Sequence, residues 1–536
     1  MESMKRRDWL KKSACAAAVM NVSGINLKAE TTMAMMKGGA NVGIGHLLRA
    51  LPQIEEKNIE IKKYEIVIVG GGISGLIAGY YLKKQGREDF VILDLESEVG
   101  GNARSGRNEV SAFPTGAHYV TLPRNDQHEL IAFYQELGII KGFDAVGRPL
   151  YDEKVICADL QERLFIYGEW IEGLQPKDRM GALEQEKWLK FEDKIRQLKA
   201  AIGSDGKYAF TIPSRESSND KQYWQLDHQT GIEWLLSEGL DCESLRWYLD
   251  YCCKDEYGMG VEEISAWAML HYFCSRRADP GNIEDQRMLV FPEGNGFFVE
   301  ALKKKLKDHC VTHQLVRDCQ RVSNGILLNL LDWSEGASKL RQIKMEAKEV
   351  ILATPRFVAQ RLCQELAVIK DLHYAPWVVT NLLVKEIPSQ SGVYPAWDNV
   401  IYQGSSLGYI NARHQEISLN LGATVLTHYE VLSDGAKSRE WMLTQSAQQW
   451  YERTLLALSS AHPDLGGVVE KVEVSLWGHG MISPIKNWMS SQGFQQLLEE
   501  PPHIYWAHSD RAGMSNFEEA FDAGLSAVKR MMSHQK

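Results

Sequence analysis

The sequence has no CxxC pair and no short ladder of cysteine spacings; its nine cysteines stand at positions 15, 157, 242, 252, 253, 274, 310, 319 and 363. Structural zinc clusters and disulfide scaffolds both need such spacings, so neither organises this chain and no metal site is expected. Basic charge is not in excess either. The net charge is −10 at pH 7 over 536 residues, whereas a nucleic-acid partner requires a basic face that neutralises phosphates. No segment reaches the ~18 uninterrupted apolar residues of an integral membrane span. Internal repeats and low-complexity tracts are missing, which sets solenoids aside. With 44% hydrophobic and 24% charged residues, the composition is that of a globular protein, and the length suits several domains or one large bipartite enzyme. The vicinal Cys252-Cys253 pair admits a redox reading beside the plainer one, two small buried residues on a helix.

The N-terminus carries Arg6-Arg7 before Asp8-Trp9-Leu10-Lys11-Lys12, followed by the mildly apolar, alanine-rich stretch from Ser13 to Val22. This resembles a twin-arginine export signal, a receptor-read address rather than a structural element. Residues 1–36 are therefore read as signal and linker, with a glycine- and methionine-rich surface arm over about 28–60, and the expected location is the periplasm or another extracytoplasmic compartment of a bacterium. The fold proper begins at Tyr64-Glu65-Ile66-Val67-Ile68-Val69, a continuous apolar run typical of a buried parallel strand. A helical spacing follows over Ile73 to Gln85 and stops at Gly86, and Phe90-Val91-Ile92-Leu93-Asp94 is a second buried strand, completing the start of a βαβ unit. From about 128 to 285 the pattern reads as mostly helical. Strand patterns return at 311–322, 325–330, 349–353, 377–385, 417–421 and 472–477.

Between the first strand and helix lies Gly70-Gly71-Gly72-Ile73-Ser74-Gly75, with Gly70, Gly72 and Gly75 in the GxGxxG positions. The first glycine permits the tight turn, the second lets a pyrophosphate approach the backbone, and the third lets helix and strand pack closely. The helix N-terminus at Ile73 and Ser74 offers free N–H groups to phosphates. Asp94, followed by Leu95, ends the next strand 19 residues beyond Gly75, where a carboxylate accepts ribose hydroxyls.

The segments that follow resemble the flavin amine oxidase superfamily, which includes monoamine and polyamine oxidases and phytoene desaturases. Glu96 to Ser105 is similar to the family's Gly-Gly loop, here Gly100-Gly101 with Asn102 in the usual arginine position and Arg104 two places on. Pro114-Thr115-Gly116-Ala117-His118 looks like the segment that passes the flavin ring. Phe291 to Gly296 resembles the start of the family's later helix, 311–322 its adenine-side strand with Cys319 in the usual valine position, and Val350 to Pro355 its return strand ending at Thr354. Ile504 to Asp510 and Ser515 to Gly524 resemble the closing motif. The resemblance implies FAD as cofactor, with Ser509 and Asp510 beside the ribityl-pyrophosphate part and the Phe517 N–H at the flavin pyrimidine. Ser515 and Glu518 read as a capping box for the last helix.

The fold implied is α/β: a Rossmann-like FAD-binding domain from residues 60–130, 286–358 and 500–534, with a helical and mixed-sheet substrate domain from 131–285 and 359–499. The family's flavin-bonding cysteine has no counterpart, since none follows Cys363, so FAD is expected to be non-covalent. Its catalytic lysine falls near Val379 and one of its substrate-flanking aromatics at Asn516. His118 and His479 remain as residues able to move a proton near neutral pH, each with a structural alternative. Trp477 reads as pocket wall or core; Asp250, Asp255 and Glu256 read as a solvated helix end or a cation site. The implied activity is oxidation of a C–N bond in an amine, polyamine or amino acid, with O2 or another acceptor. A C–C desaturase of phytoene desaturase or protoporphyrinogen oxidase type is the alternative, and a non-catalytic flavin-binding envelope protein a further one.

Overall fold

The apolar runs assemble into two large sheets. In the computed structural model, which describes residues 34–49, 59, 61–388, 390–416, 422–433 and 435–534, the strand Ile61–Val69 occupies the middle of a seven-stranded sheet. It pairs in parallel with Phe90–Leu93 on one side and with Arg341–Leu352 on the other. Alternation of side chains decides which core each residue joins. Ile66, Ile68, Phe90 and Ile92 pack against the helix Ile73–Lys84. Val67, Val69, Val91 and Leu93 face the opposite core, which holds Trp188, Trp234 and Trp267 from the helical segment. The strand Ile504–Trp506 joins in parallel at the end of Arg341–Leu352, placing the C-terminal motif beside the glycine turn.

The second sheet has eight strands. Its central strand Tyr374–Val384 is buried at every position and pairs antiparallel with Thr424–Val431 and Val469–Ile482. Residues Met35–Lys536 form one compact unit, and no helix among the described residues is long and apolar enough to cross a membrane. The twin-arginine segment and the strand expected at 417–421 lie outside the described residues.

Three sequence readings change. The segment from about 128 to 285 opens with the helix His128–Glu136 but then turns to strands, of which Glu162–Ile166 and Glu169–Glu172 belong to the second sheet, before the longer helices begin. The arm over 28–60 is in part structured, with Ala34–Gly39 as an edge strand of that sheet and two short helical turns over Val42–Gly45 and His46–Arg49. The last helix, Phe517–His534, is capped by Asn516, whose Oδ1 accepts the Glu519 N–H at 2.9 Å. Ser515 and Glu518 do not form the expected box. The Glu518 carboxylate is held by the Thr121 N–H at 2.8 Å and its hydroxyl at 2.5 Å, and Ser515 Oγ accepts the Ile482 N–H.

Candidate cofactor and substrate site

A cavity of about 760 Å³ is lined by residues of both sheets and of the segments that join them. Its floor is the glycine turn. A Cβ on Gly70 would lie 2.5 Å from the Ala353 carbonyl, and one on Gly75 would lie 1.9 Å from the Gly70 carbonyl, so neither position has room for a side chain. Gly72 is different. Nothing lies within 4 Å of a Cβ built there, which leaves its backbone open to the cavity in front of the helix N-terminus. This is a cradle shaped for phosphate. At the far end, Asp94 accepts the N–H groups of Gly71 and Glu96, both at 2.8 Å, and burial raises its carboxyl to about 6. Three buried acceptors along the cavity wall, Thr354 Oγ1, Asn295 Oδ1 and Gln314 Oε1, have no hydrogen-bond partner within the protein. Buried polar atoms without partners are rare in native folds, and here they line a dinucleotide-sized groove, so the residues fit such a group.

The middle of the cavity is set by Pro114 to His118. Three successive carbonyls of this segment are tied to the second sheet: Pro114 O accepts from Asn381 Nδ2, Thr115 O from Trp477 Nε1 and Gly116 O from the Tyr429 hydroxyl. Gly294, at φ +56°, packs so close that a Cβ would meet Ala117 O at 2.8 Å. The segment is thereby fixed by the second sheet and by the Gly294 turn.

Beyond it the cavity ends in an aromatic box. His118 stacks on Tyr429 with ring centroids 4.4 Å apart and touches Tyr119 and Trp397, while Trp377 meets Tyr429 edge-on. Burial depresses the His118 imidazole to about 4, so it is neutral at pH 7. Asp255 and Glu256, from the end of the helix Glu243–Tyr257, open into this region. The reading of them as a solvated helix end is therefore overturned; Asp250, in contrast, pairs with Lys254. Glu256 is compensated by Arg276 at 3.6 Å and by Asn516 at 3.4 Å. Asp255 has no cation within ion-pair distance among the described residues, and burial, then Glu256, raise its carboxyl to about 7. Glu162 and Asp398 stand behind it on adjacent paired strands, both with carboxyls raised by burial.

Of the residues read from sequence, Gly70, Gly72, Ile73, Ser74, Asp94, Leu95, Gly101, Asn102, Gly116, Ala117, His118, Thr354, Ser509, Asp510 and Phe517 all line the cavity. Asp510 accepts from Tyr374 Oη at 2.5 Å and from the Arg356 N–H. Trp477, also in the wall, proves to be cavity lining. Val379 and Asn516 line it where the resemblance expected lysine and an aromatic.

Three residues are placed elsewhere. Gly75 acts through helix packing alone. Cys319 lies in the core, and Val316, three positions earlier on Gln314–Val322, reaches the cavity instead; a bulge between Val316 and Asp318 leaves both in the same core cluster, so it is position along the strand that separates them. Arg104 points out of the groove to the Gly39 carbonyl and Glu96. His479 does line the cavity but stacks on Phe357 at 4.0 Å, sharing no ring neighbour with His118. Burial and the nearby Arg439 and Arg49 lower it to about 3. The two histidines therefore do not work as a pair. Sequence reasoning missed Gln314, Asn295, Tyr429 and the segment from Asn41 to Arg49; only the last has a local signal, the Asn41 cap, whose Oδ1 accepts the Ile44 N–H.

The parallel sheet, glycine turn and acidic strand end define a Rossmann-type dinucleotide-binding domain joined to a second, largely antiparallel sheet. A family profile described as an NAD(P)-binding Rossmann-like domain matches residues 68–137. The chain is 26% identical over 324 residues to a probable flavin-containing monoamine oxidase A of Dictyostelium discoideum, an alignment that spans 58% of this chain and 60% of that protein. Among solved structures it resembles wild-type putrescine oxidase bound to putrescine (TM-score 0.61, 16% identity, 88% of this chain and 100% of that one). Cyclohexylamine oxidase from Brevibacterium oxydans IH-35A is similar in the same degree (TM-score 0.61, 13% identity, 88% and 99%). The fold is thus the one these amine oxidases share.

Proposed function

We propose that the protein is an FAD-dependent oxidoreductase that oxidises the C–N bond of a cationic amine. The observation that carries this reading is Asp255, a carboxylate with no cation within ion-pair distance among the described residues, opening into an aromatic box that is continuous with the dinucleotide cradle. When bound, FAD would accept the hydride from the carbon beside nitrogen once the ammonium has given up a proton and its lone pair can form the C=N bond. The chain's own residues bind and orient. Asp255 holds an ammonium, Tyr429 and Trp377 add aromatic surface beside it, which favours a cation, and Val379 with Trp477 keeps the wall apolar. Neutral His118 offers a proton acceptor at the box. No cysteine is among the residues lining the cavity, which supports non-covalent attachment.

Anaerobic bleaching of the purified flavoprotein against amines, polyamines and amino acids tests the reading, after heat release of free FAD establishes the cofactor. Bleaching by none of them would defeat it. At the adenosine end, Gln314→Leu removes an acceptor that has no protein partner, and FAD affinity is expected to fall about fivefold, roughly 1 kcal/mol, in a fluorescence titration.

The signal-like N-terminus supports export of the folded, FAD-loaded protein to the periplasm. A variant carrying Arg6→Lys and Arg7→Lys is expected to remain in the cytoplasm on fractionation, still yellow; its arrival in the periplasm would contradict this route.

A further inference from the structure

Arg104, two places beyond the family's usual arginine position, is turned away from the groove. Arg104 donates to the Gly39 carbonyl at 2.9 Å and pairs with Glu96 at 3.6 Å, and Asn102 spends its side-chain amide on the Gly480 carbonyl at 2.9 Å. The Arg104 contacts hold another chain segment, and Asn102, though in the cavity wall, ties its amide to Gly480 in the same wall.

The segment that Arg104 holds is the one the sequence had suggested was a surface arm. Ala40 donates to the Leu476 carbonyl. Gly39, at φ +108°, lies so near Leu476 that a Cβ would stand 2.2 Å from its oxygen, so only glycine allows the chain to pass there. The Asn41 N–H donates to Glu96 Oε1 at 2.8 Å. Ile44 is buried with Leu315 and Leu331, and Leu47 and Leu48 pack against the same cluster beside Leu95 and Trp333. The segment therefore crosses the adenosine end of the groove and is fastened on both sides.

Its last turn brings His46 and Arg49 into the cavity wall, where Arg49 acts on His479 and on Arg439. Arg49, Arg361 and Arg439 all line the cavity, and none has a carboxylate within ion-pair distance among the described residues. Phe357, stacked on His479, follows closely after Thr354, whose methyl would be 3.1 Å from a Cβ on Gly70. This cationic wall thus flanks the phosphate cradle. Guanidinium groups gathered in an enclosed site need an anion, and a pyrophosphate is the anion this groove is shaped for.

We propose that residues 40–49 form a strap closed over the cofactor, and that its Arg49 supplies the pyrophosphate's positive partner that Arg104 does not. The inference rests on the FAD reading above. Release of FAD then requires the strap to open, with Glu96 and Arg104 as the latch that holds it down.

The experiment uses full-length protein purified with its flavin. First, FAD release on dilution is followed by the rise of free-flavin fluorescence. Arg49→Ala is expected to release FAD roughly tenfold faster or more, with a weaker salt dependence, and Arg49→Lys to recover part of the difference. Second, trypsin cleavage after Arg49 in the wild-type protein is expected to be slow with FAD bound and fast once the flavin is stripped. Release by Arg49→Ala at the wild-type rate, or equal cleavage of loaded and stripped protein, would overturn the strap while leaving the FAD reading standing. A wild-type protein that carries no flavin and takes up none would overturn both.

Discussion

A Gly72→Ala protein is expected to fold normally and to purify without flavin. Gly72 has an extended backbone, φ −71° and ψ −177°, that alanine adopts without strain, and its added methyl meets no protein atom within 4 Å. Apoprotein stability should therefore be unchanged or raised by up to about 1 kcal/mol. The methyl would stand where a phosphate must approach the backbone, so FAD affinity is expected to fall at least ~100-fold, about 2.7 kcal/mol. Gly75→Ala separates the two effects. Its methyl would lie 1.9 Å from the Gly70 carbonyl, forcing the turn itself to move at a cost of about 1–3 kcal/mol or more. That variant loses both flavin and thermal stability. Absorbance at 450 nm with a melting curve on each protein distinguishes them, and a yellow Gly72→Ala protein would show that this groove does not take a dinucleotide in the expected way.

What was legible in the sequence follows from how local each feature is. Strand, glycine turn, helix and acidic strand end occupy 64–94 in one continuous run, and their chemistry depends on neighbours within that run. The closing motif was legible for its cavity residues, but its helix cap was not: Glu518 is taken by Thr121, almost 400 residues away in sequence, and Asn516 caps instead. Cys319 was taken for the cavity position of its strand, which Val316 holds instead, and nothing in the local pattern distinguishes the two. Arg104 illustrates the same limit. Its spacing from Gly101 is visible in the sequence, whereas its partner, the Gly39 carbonyl, belongs to a segment whose composition reads as a linker. The acidic end of the cavity was least legible of all, because Glu162, Asp255 and Asp398 come from two strands and a helix that only the folded sheet brings together.

Replacement of Asp255 by asparagine is expected to remove most amine turnover while leaving the flavin spectrum and FAD content intact. Among the described residues the carboxylate has no cation within ion-pair distance, Arg276 acting on it only from farther off, so the variant breaks no direct ion pair and the missing partner is the substrate's ammonium. A buried charge pair broken on one side costs about 2 kcal/mol or more, which is a fall in kcat/KM of at least roughly 30-fold. The pH dependence follows from the same group. Burial, then Glu256, raises the Asp255 carboxyl to about 7; below that pH it is protonated and neutral and cannot pair with a cation. For the wild-type protein kcat/KM should therefore decline as pH falls through about 7, and Asp255→Asn should lose that limb along with the activity. Glu256→Gln gives the contrast: its carboxylate already faces Arg276 at 3.6 Å, so its removal leaves an unpaired guanidinium that repels an ammonium, and the limb persists but moves to lower pH because Glu256 no longer raises the Asp255 carboxyl. Amine turnover unaffected by Asp255→Asn would mean that the ammonium is not held in this box, and a neutral substrate oxidised at a C–C bond would then account better for its aromatic walls.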